Sequence, residues 1–339
     1  MNKILFVITK SENGGAQKWV KEQTEIAKDS FDVYLATDEE GWLVKNTKVK
    51  AYLTDSRIRK KFSFSYLLIF SKFLKENQID IIVASSANAG IYSRLSKLFY
   101  RTKVIYVGHG WSSIYNGGKL KWFYTGIEKL LSFMTDSILC VSQSDYARAK
   151  DEIGINEKKL KLIPNKIMPM RRREEVMTHS KIKVLSVARF REPKRVDLLI
   201  KAMKNIDSEL YLVGDGPLRK EYEAISNEEV HFLGEVDGFD EFYKYDIFIL
   251  ISDSEGLPLS AIEAMSARLP LVLSNVGGCP ELIEGNGVLV ENTILSIEEG
   301  IILSINNINK YSDKSLEIFN KKYNLFKLKE IYIEYYKKI

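Results

Sequence analysis

Apolar residues recur with two periods along the 339-residue chain, and the two alternate almost from end to end. Short β-rich runs, "KILFVIT", "DVYLAT", "IDIIVAS", "KVIYVG" and "SILCVS", are separated in the first half by amphipathic stretches such as 16–28 and 66–77. Strands that alternate with helices predict βαβ units, a parallel sheet and helices covering its faces. After "KLIPN" the pattern breaks at "KIMPMRRREEVMTHS", a polar, charge-rich stretch that reads as a linker over 166–180. It restarts with "KVLSVARF", "ELYLVGDG", "VHFLGEV", "DIFILIS", "PLVLSN" and "GVLVE". Two successive Rossmann-like domains are predicted, 1–165 and 181–310, with no repeat beyond the shared architecture. The tail 311–339 carries Tyr, Phe, Leu and Lys at helical spacing and reads as a helix packing back onto the first domain.

Composition narrows the class. At 45% hydrophobic the chain can fill two cores and is not disordered. No run approaches the roughly 18 apolar residues of a membrane span, and "MNKILFVITKSENGG" enters polar sequence with no cleavage-like site, so a cytoplasmic location is expected. The two cysteines, Cys140 and Cys279, sit in different halves with no Cys or His at ligand spacing, which supports neither a disulfide framework nor a zinc site.

The formal charge of +5 is unevenly placed: residues 1–166 hold 27 Lys and Arg against 17 Asp and Glu, the remainder 23 against 28. A basic half predicts an anionic partner, either nucleic acid or an anionic membrane face. No nucleic-acid recognition module is present. "RIRKKFSFSYLLIFSKFLK", with Arg57, Arg59, Lys60 and Lys61, and "KLKWFYTGIEKLL" combine cations with aromatic residues, a composition that suits an anionic interface. The competing reading is ordinary helix cores with a solvated charged face.

The candidate chemistry gathers in "SDSEGLPLSAIEAMSARLP". The strand "DIFILIS" ends just before Asp253, and Pro258 suits the first turn of a helix, where its missing N–H costs nothing. Strand, turn and helix in that order form the ligand-binding end of an open α/β sheet, with helix N–H groups near Leu259 and Ser260 facing an anion such as phosphate. Glu255 lies in the turn and Glu263 two helical turns later, so the two can address separate parts of one extended ligand. Carboxylates accept paired hydrogen bonds from vicinal hydroxyls of ribose or hexose, and a nucleotide sugar has both phosphate and vicinal hydroxyls. A bare pair of glutamates at this spacing is equally at home as a solvated turn residue and an exposed helix residue. The surroundings decide.

"SEGLPLSAIEAMSARLPLVLSNVGGCPELI" resembles the donor-site signature of the retaining nucleotide-sugar glycosyltransferases of family 4, and "SVARFREPKRVDLLIKA", "LYLVGDGPLRKEYE", "VHFLGEV" and "GNGVLVE" resemble the family's other blocks in the right order. The resemblance covers nearly the whole chain. It implies the GT-B fold, an α/β architecture in which two Rossmann-like domains with parallel sheets face each other across a cleft, the first binding acceptor and the second the nucleotide-sugar donor. Residue by residue it implies that Arg189 and Lys194 contact the donor diphosphate and neutralise charge on the leaving group, that Glu263 binds ribose, and that Glu255 lies near the transferred sugar. The resemblance likewise implies that Gly256, Leu257, Pro258, Leu259 and Ser260 form the turn that holds sugar hydroxyls and phosphate, and that Val236, closing "VHFLGEV", joins the donor set. In the first half, Gly14 and Gly15 of "SENGGAQKW" let backbone approach a phosphate. Gln17 stands where the family often has Glu, and Lys166 of "IPNK" where it has Gly. His109 of "VGHGWSS" matches a His beside the transferred sugar; a lone His is also often structural.

The implied reaction is transfer of a hexose or N-acetylhexosamine from a nucleoside-diphosphate sugar, UDP by family frequency, to a hydroxyl of a glycan or lipid-linked acceptor in cell-surface polysaccharide synthesis. It proceeds with retention, by front-face attack, and requires neither metal nor cofactor. Alternatives on the same fold are a sugar-nucleotide epimerase, which needs no acceptor, and a non-catalytic nucleotide-sugar-binding protein. A dinucleotide-dependent oxidoreductase is disfavoured, because Arg219 occupies the third position of "GDGPLR", where helix packing demands a small residue.

Overall fold

The computed structural model describes residues 1–60, 62–111, 121–174 and 181–339. The chain divides into two compact units, Met1–Asn165 with Lys329–Ile339, and Lys166–Leu328. Among the described residues no helix is long and apolar enough to cross a membrane.

In the first unit seven strands, β1 (Lys3–Val7), β2 (Asp32–Thr37), β3 (Tyr52–Thr54), β4 (Ile81–Ala84), β5 (Lys103–Gly108), β6 (Ser137–Cys140) and β7 (Leu160–Leu162), form a parallel sheet ordered β3-β2-β1-β4-β5-β6-β7. The central strands are apolar at successive positions because both faces are covered. Leu5, Val7, Ile82 and Val104 pack with Tyr66, Phe70, Leu74, Ala89 and Tyr92 of helices Phe64–Asn77 and Ala87–Leu95. On the opposite face Phe6 meets Tyr336 edge to face, beside helix Gly15–Ala27. Helix starts are fixed locally: the Ser63 hydroxyl accepts from the Tyr66 N–H and Ser142 from the Asp145 N–H.

The tail departs from the single helix expected over 311–339. It comprises helices Ile308–Ile318, Leu325–Leu328 and Glu330–Lys338, with a π turn at Phe319–Tyr323. The break has a cause distant in sequence: Asn324 pairs with Ile167, whose N–H donates to the Tyr323 carbonyl (3.0 Å) and whose carbonyl accepts from Leu325 (2.9 Å). Only the last segment joins the first unit, where Tyr332, Tyr335 and Tyr336 donate their hydroxyls to the Pro164 carbonyl, Ser137 Oγ and Gln23 Oε1.

The second unit holds β8 (Ile182–Val187), β9 (Ser208–Val213), β10 (Val230–Gly234), β11 (Ile247–Leu250), β12 (Leu271–Ser274) and β13 (Gly287–Val290), parallel and ordered β10-β9-β8-β11-β12-β13. Leu185, Phe248, Leu250, Leu271 and Leu273 face helix Leu259–Ser266 and the Phe319–Tyr323 turn. Val184, Leu212, Ile249 and Val272 face helices Val196–Met203 and Ile294–Asn306.

The stretch 166–174, read as linker, is packed on this unit. The Arg173 guanidinium, 3% exposed, pairs with Asp246 at 2.7 Å and donates to Ser312 Oγ. Lys166 is buried, its ammonium donating to the Lys322 carbonyl, and burial pushes its pKa down to about 8. Of its charged residues, Lys166 and Arg173 are buried with partners, while Arg171, Arg172 and Glu174 stay exposed. The remainder of the predicted linker, 175–180 with His179, lies outside the described residues.

In both sheets the strand order reverses once, between β1 and β4 and between β8 and β11. The loops leaving those pairs diverge, and the carboxyl ends of such strands are where open α/β sheets bind ligands.

Candidate functional site

At the reversal in the second sheet, the loop after β8 carries Arg189 and Lys194, and the turn after β11 carries Glu255. The two loops are stitched together by backbone. Lys194 bridges Ser252, the Arg195 N–H donates to the Ile251 carbonyl (2.9 Å), and the Asp253 N–H donates to the Pro193 carbonyl (2.9 Å). This stitching sets the Lys194 ammonium against the Glu255 carboxylate in a direct ion pair, with side chains 20% and 10% exposed. Arg189 is exposed on the same loop.

Pro258 is the N-cap of helix Leu259–Ser266, one position before the helical residues, and Leu257 and Pro258 are buried while Leu259 and Ser260 are half-buried. Glu263 does not face solvent as a bare helical glutamate would; it is only 7% exposed. A buried carboxylate on the ligand-binding helix is costly unless it is hydrogen-bonded, which sets it apart from surface charge.

Two pairs of glycines hold these loops from behind. A Cβ on Gly214 or Gly216 would lie 1.9 Å from the Ala188 carbonyl oxygen or 2.5 Å from that of Phe190, the residues flanking Arg189. A Cβ on Gly277 or Gly278 would lie 1.8 Å from the Glu255 carbonyl oxygen or 2.3 Å from that of Gly256, and the Gly278 N–H donates to Gly256 at 2.9 Å. Gly214 and Gly216 therefore let one loop pack on another, a different task from the dinucleotide turn that "GDG" superficially resembles. Sequence reasoning did not assign these roles. The Gly-Gly pairing was visible, but its partner is backbone elsewhere in the chain.

Asp253, the other carboxylate of "SDSEG", accepts from Asn292 Nδ2 at 2.7 Å and lies 3.5 Å from Arg195. Asn292 also donates to the Ser252 carbonyl, and its Oδ1 accepts from Ser274 Oγ at 2.6 Å. Asn292, Ser274 and Ser252 thus fix the start of the glutamate turn and were missed in the sequence. Cys279 is fully buried close by, where burial, with Glu255 adding to it, raises its thiol pKa. Val236 lies past the end of β10, 40% exposed, with β9 between that strand and β8.

In the first unit, Gly14 is the extended N-cap of helix Gly15–Ala27, the element leaving β1. Gln17 is buried and its Nε2 donates to the Lys10 carbonyl (3.0 Å), closing the loop with a donor that a glutamate lacks. Across the reversal, Thr9 Oγ1 and Ser86 Oγ are 2.6 Å apart, joining the ends of β1 and β4. His109 follows β5; its ring meets Trp19 edge to face at 5.0 Å, and Trp19 in turn meets Tyr332 at 6.2 Å. The His109 Nε2 is buried with no partner among the described residues, and desolvation lowers the imidazole pKa to about 4. A neutral ring at physiological pH can exchange hydrogen bonds with a hydroxyl, and it is poorly suited to take a proton as general base.

Family profiles match both halves: Glycosyltransferase Family 4 over residues 13–169, and Glycosyl transferases group 1 over residues 181–307. The chain is 47% identical over 298 residues to the O-antigen biosynthesis glycosyltransferase WbnH of Escherichia coli, covering 86% of this chain and 87% of that one. It is 25% identical to the Escherichia coli UDP-Gal:alpha-D-GlcNAc-diphosphoundecaprenol alpha-1,3-galactosyltransferase, covering 90% of each. Among solved structures, Anabaena Alr3699/HepE in complex with UDP and glucose superposes with a TM-score of 0.85 at 18% identity over 100% of both chains. With two Rossmann-like sheets, profile matches in both halves and close kinship to a named transferase, the chain belongs to the family 4 glycosyltransferases of GT-B fold.

Proposed function

We propose that the enzyme is a retaining glycosyltransferase that moves a hexose or N-acetylhexosamine from a UDP-sugar to a hydroxyl of a lipid-linked glycan, in the synthesis of a cell-surface polysaccharide. The observation that carries this reading is the Lys194–Glu255 ion pair, held at the strand-order reversal beside the start of the helix that bears buried Glu263. A cation, a carboxylate, a helix N-terminus with no side-chain cap and a second, buried carboxylate suit a ligand with a diphosphate between two hydroxyl-rich groups. The relatives support the substrate class: one is named for O-antigen biosynthesis, another for a UDP-galactose donor and a diphosphoundecaprenol-linked acceptor, and the Anabaena neighbour holds UDP.

In this reading Glu263 accepts from the ribose hydroxyls, and Arg189, Lys194 and the amides near Leu259 and Ser260 take the diphosphate. As the glycosidic bond breaks, negative charge grows on the leaving phosphate, and fixed cations and amide dipoles stabilise it without reorganising. Glu255 orients the transferred sugar, while the backbone pairing of Lys194 with Ser252 keeps that cation beside the diphosphate. The leaving phosphate accepts the acceptor's proton on the face it departs from, which retains the anomeric configuration. The positively charged loop performs the task a metal performs in other transferases, so activity is expected to survive chelation. The Gly14–Gly15 turn and His109 serve as hydrogen-bonding contacts of the first unit. A lipid-linked acceptor places the enzyme at the inner face of the cell membrane, with the basic half toward an anionic surface.

The test is a panel of nucleotide sugars, read by protection from melting and by nucleotide released in the presence of a lipid diphosphate-linked sugar. A UDP-sugar should give both signals, with the product anomer unchanged in configuration. Inversion, or an altered sugar appearing without acceptor, overturns the reading.

A further inference from the structure

The first half's excess of positive charge is concentrated in one segment. Residues 56–135 carry 13 Lys and Arg against 3 Asp and Glu, and the rest of residues 1–166 is balanced at 14 against 14. The three acids are all engaged: Glu128 accepts from buried Arg94, Glu76 lies beside Lys72, and Asp80 accepts from the Lys3 N–H of β1. The cations first expected to face a membrane divide: Arg57 and Arg59 are ion-paired, whereas Lys60 is exposed. Arg57 is clamped by Asp55, Arg59 by Asp38 and Glu39, and Lys61 lies outside the described residues. Lys60, Lys75, Arg101 and Lys129 are exposed.

The same segment presents large apolar side chains to water. Helix Lys121–Ser132 and the residue after it expose Trp122 (74%), Leu130 (68%) and Phe133 (73%), spaced eight and three apart so that they fall near one stripe. Helix Phe64–Asn77 exposes Phe64 and Leu68, and the turn after Ala87–Leu95 exposes Leu98 and Phe99, with Phe64 and Phe99 in ring contact. The steps β3 to β4, β4 to β5 and β5 to β6 run the same way across the sheet, so right-handed connections place all three helices on one face. Isolated exposed leucines need no explanation. Seven large apolar residues on one helical layer, set among lysines and arginines, describe a surface that is covered.

We infer that this helical face of the first unit, centred on Trp122, Leu130 and Phe133, binds directly to an anionic lipid bilayer. Aromatic rings seat at the headgroup level, aliphatic side chains reach the acyl boundary, and Lys60, Lys75, Arg101 and Lys129 meet lipid phosphates. Nucleic acid would match the charge and leave Leu68, Leu98 and Leu130 without a partner. The inference rests on the lipid-linked acceptor proposed above and specifies which surface meets the membrane.

The full-length protein should float with vesicles of phosphatidylcholine and phosphatidylglycerol at 3:1, bind pure phosphatidylcholine far less, and be released by high salt. Trp122→Ser with Phe133→Ser, both at exposed positions, should abolish flotation without lowering the melting temperature. Lys60→Gln, Arg101→Gln and Lys129→Gln together should weaken binding on the order of a hundredfold. Arg57→Gln should change it little. Protection from melting by UDP, measured on the same proteins, should be unaltered throughout, so a failure of donor binding is seen separately from a failure of the surface. Flotation that survives the apolar substitutions overturns the inference. So does a wild-type oligomer by light scattering that those substitutions convert to monomer, since the face would then bind a second copy.

Discussion

Glu255 and Glu263 have different surroundings, and their substitutions should separate. Glu263 is buried on the helix, and Glu255 is paired with Lys194 in the turn before it. If Glu263 holds ribose, Glu263→Ala weakens sugar donor and bare UDP alike, by about 10- to 100-fold for a lost charged hydrogen bond. Glu255→Gln keeps the shape of the turn and should leave UDP affinity nearly intact while lowering turnover of the full donor by a similar factor. Calorimetry with UDP and kinetics with the donor read both, and matching profiles would defeat the division of roles. His109 makes a second residue-scale prediction. Its folded pKa of about 4 lies below the ordinary value of 6.5, so on acidification the unfolded chain takes up the proton first. The stability tied to its neutral form is complete above pH 6.5 and is lost as the pH falls toward 4. Relative to His109→Gln, the wild type should lose roughly 2 kcal/mol between pH 7 and 5 in urea unfolding. Equal losses would mean the ring is not held neutral.

At the scale of elements, the strands read from the sequence and those observed coincide where both faces of the strand are buried. "DVYLAT" and "KVIYVG" match β2 and β5 end to end, because a run with no polar interruption leaves no other placement. β3 and β7 were not legible: three-residue edge strands such as Tyr52–Thr54 are largely exposed and carry no period to detect. The tail broke at Asn324 for a partner more than a hundred residues away, which helical spacing does not register. The candidate site shows the same division. Its charged residues announced themselves by motif, whereas the burial of Glu263 and the bracing by Gly277 and Gly278 depend on what other segments bring near. That bracing is testable. Gly278 has an ordinary φ of −89°, so Gly278→Ala introduces no backbone strain but a clash, chiefly with the Gly256 carbonyl, that must displace the glutamate turn. Gly285 has φ +83° with open space around its Cβ position, so Gly285→Ala introduces only backbone strain, about 1 kcal/mol. Donor affinity should fall at least tenfold in the first and hold in the second, whatever their melting temperatures. Comparable donor affinity in the two variants would show that the turn does not depend on its glycine support.

For the whole molecule, the last eleven residues are the point where sequence order and structural membership part. Lys329–Ile339 follows the second unit in the chain and belongs to the first. Tyr332 and Tyr336 are fully buried there, Ile333 and Tyr335 nearly so, and Tyr332 is the ring against which Trp19 rests as Trp19 meets His109. Burial of four such side chains contributes several kcal/mol, at roughly 1.5 to 3 each. All four tryptophans, Trp19, Trp42, Trp111 and Trp122, lie in the first unit, so tryptophan emission reports on that unit alone. Ending the chain at Leu328 should therefore lower the emission-detected melting temperature by more than about 10 °C. Tyr332→Ala, a milder change, should lower it by less and should also raise the pKa of His109 toward 6.5, because water gains access through the space beside Trp19. Histidine proton resonances in a protein with His179→Gln and His231→Gln would follow that pKa directly. The helix is then a structural part of the first unit that arrives last in the chain, and its loss is felt at a residue of the candidate site. An unchanged emission-detected melt after truncation would instead make the final helix a passive tail, and an unshifted His109 in Tyr332→Ala would break the link through Trp19.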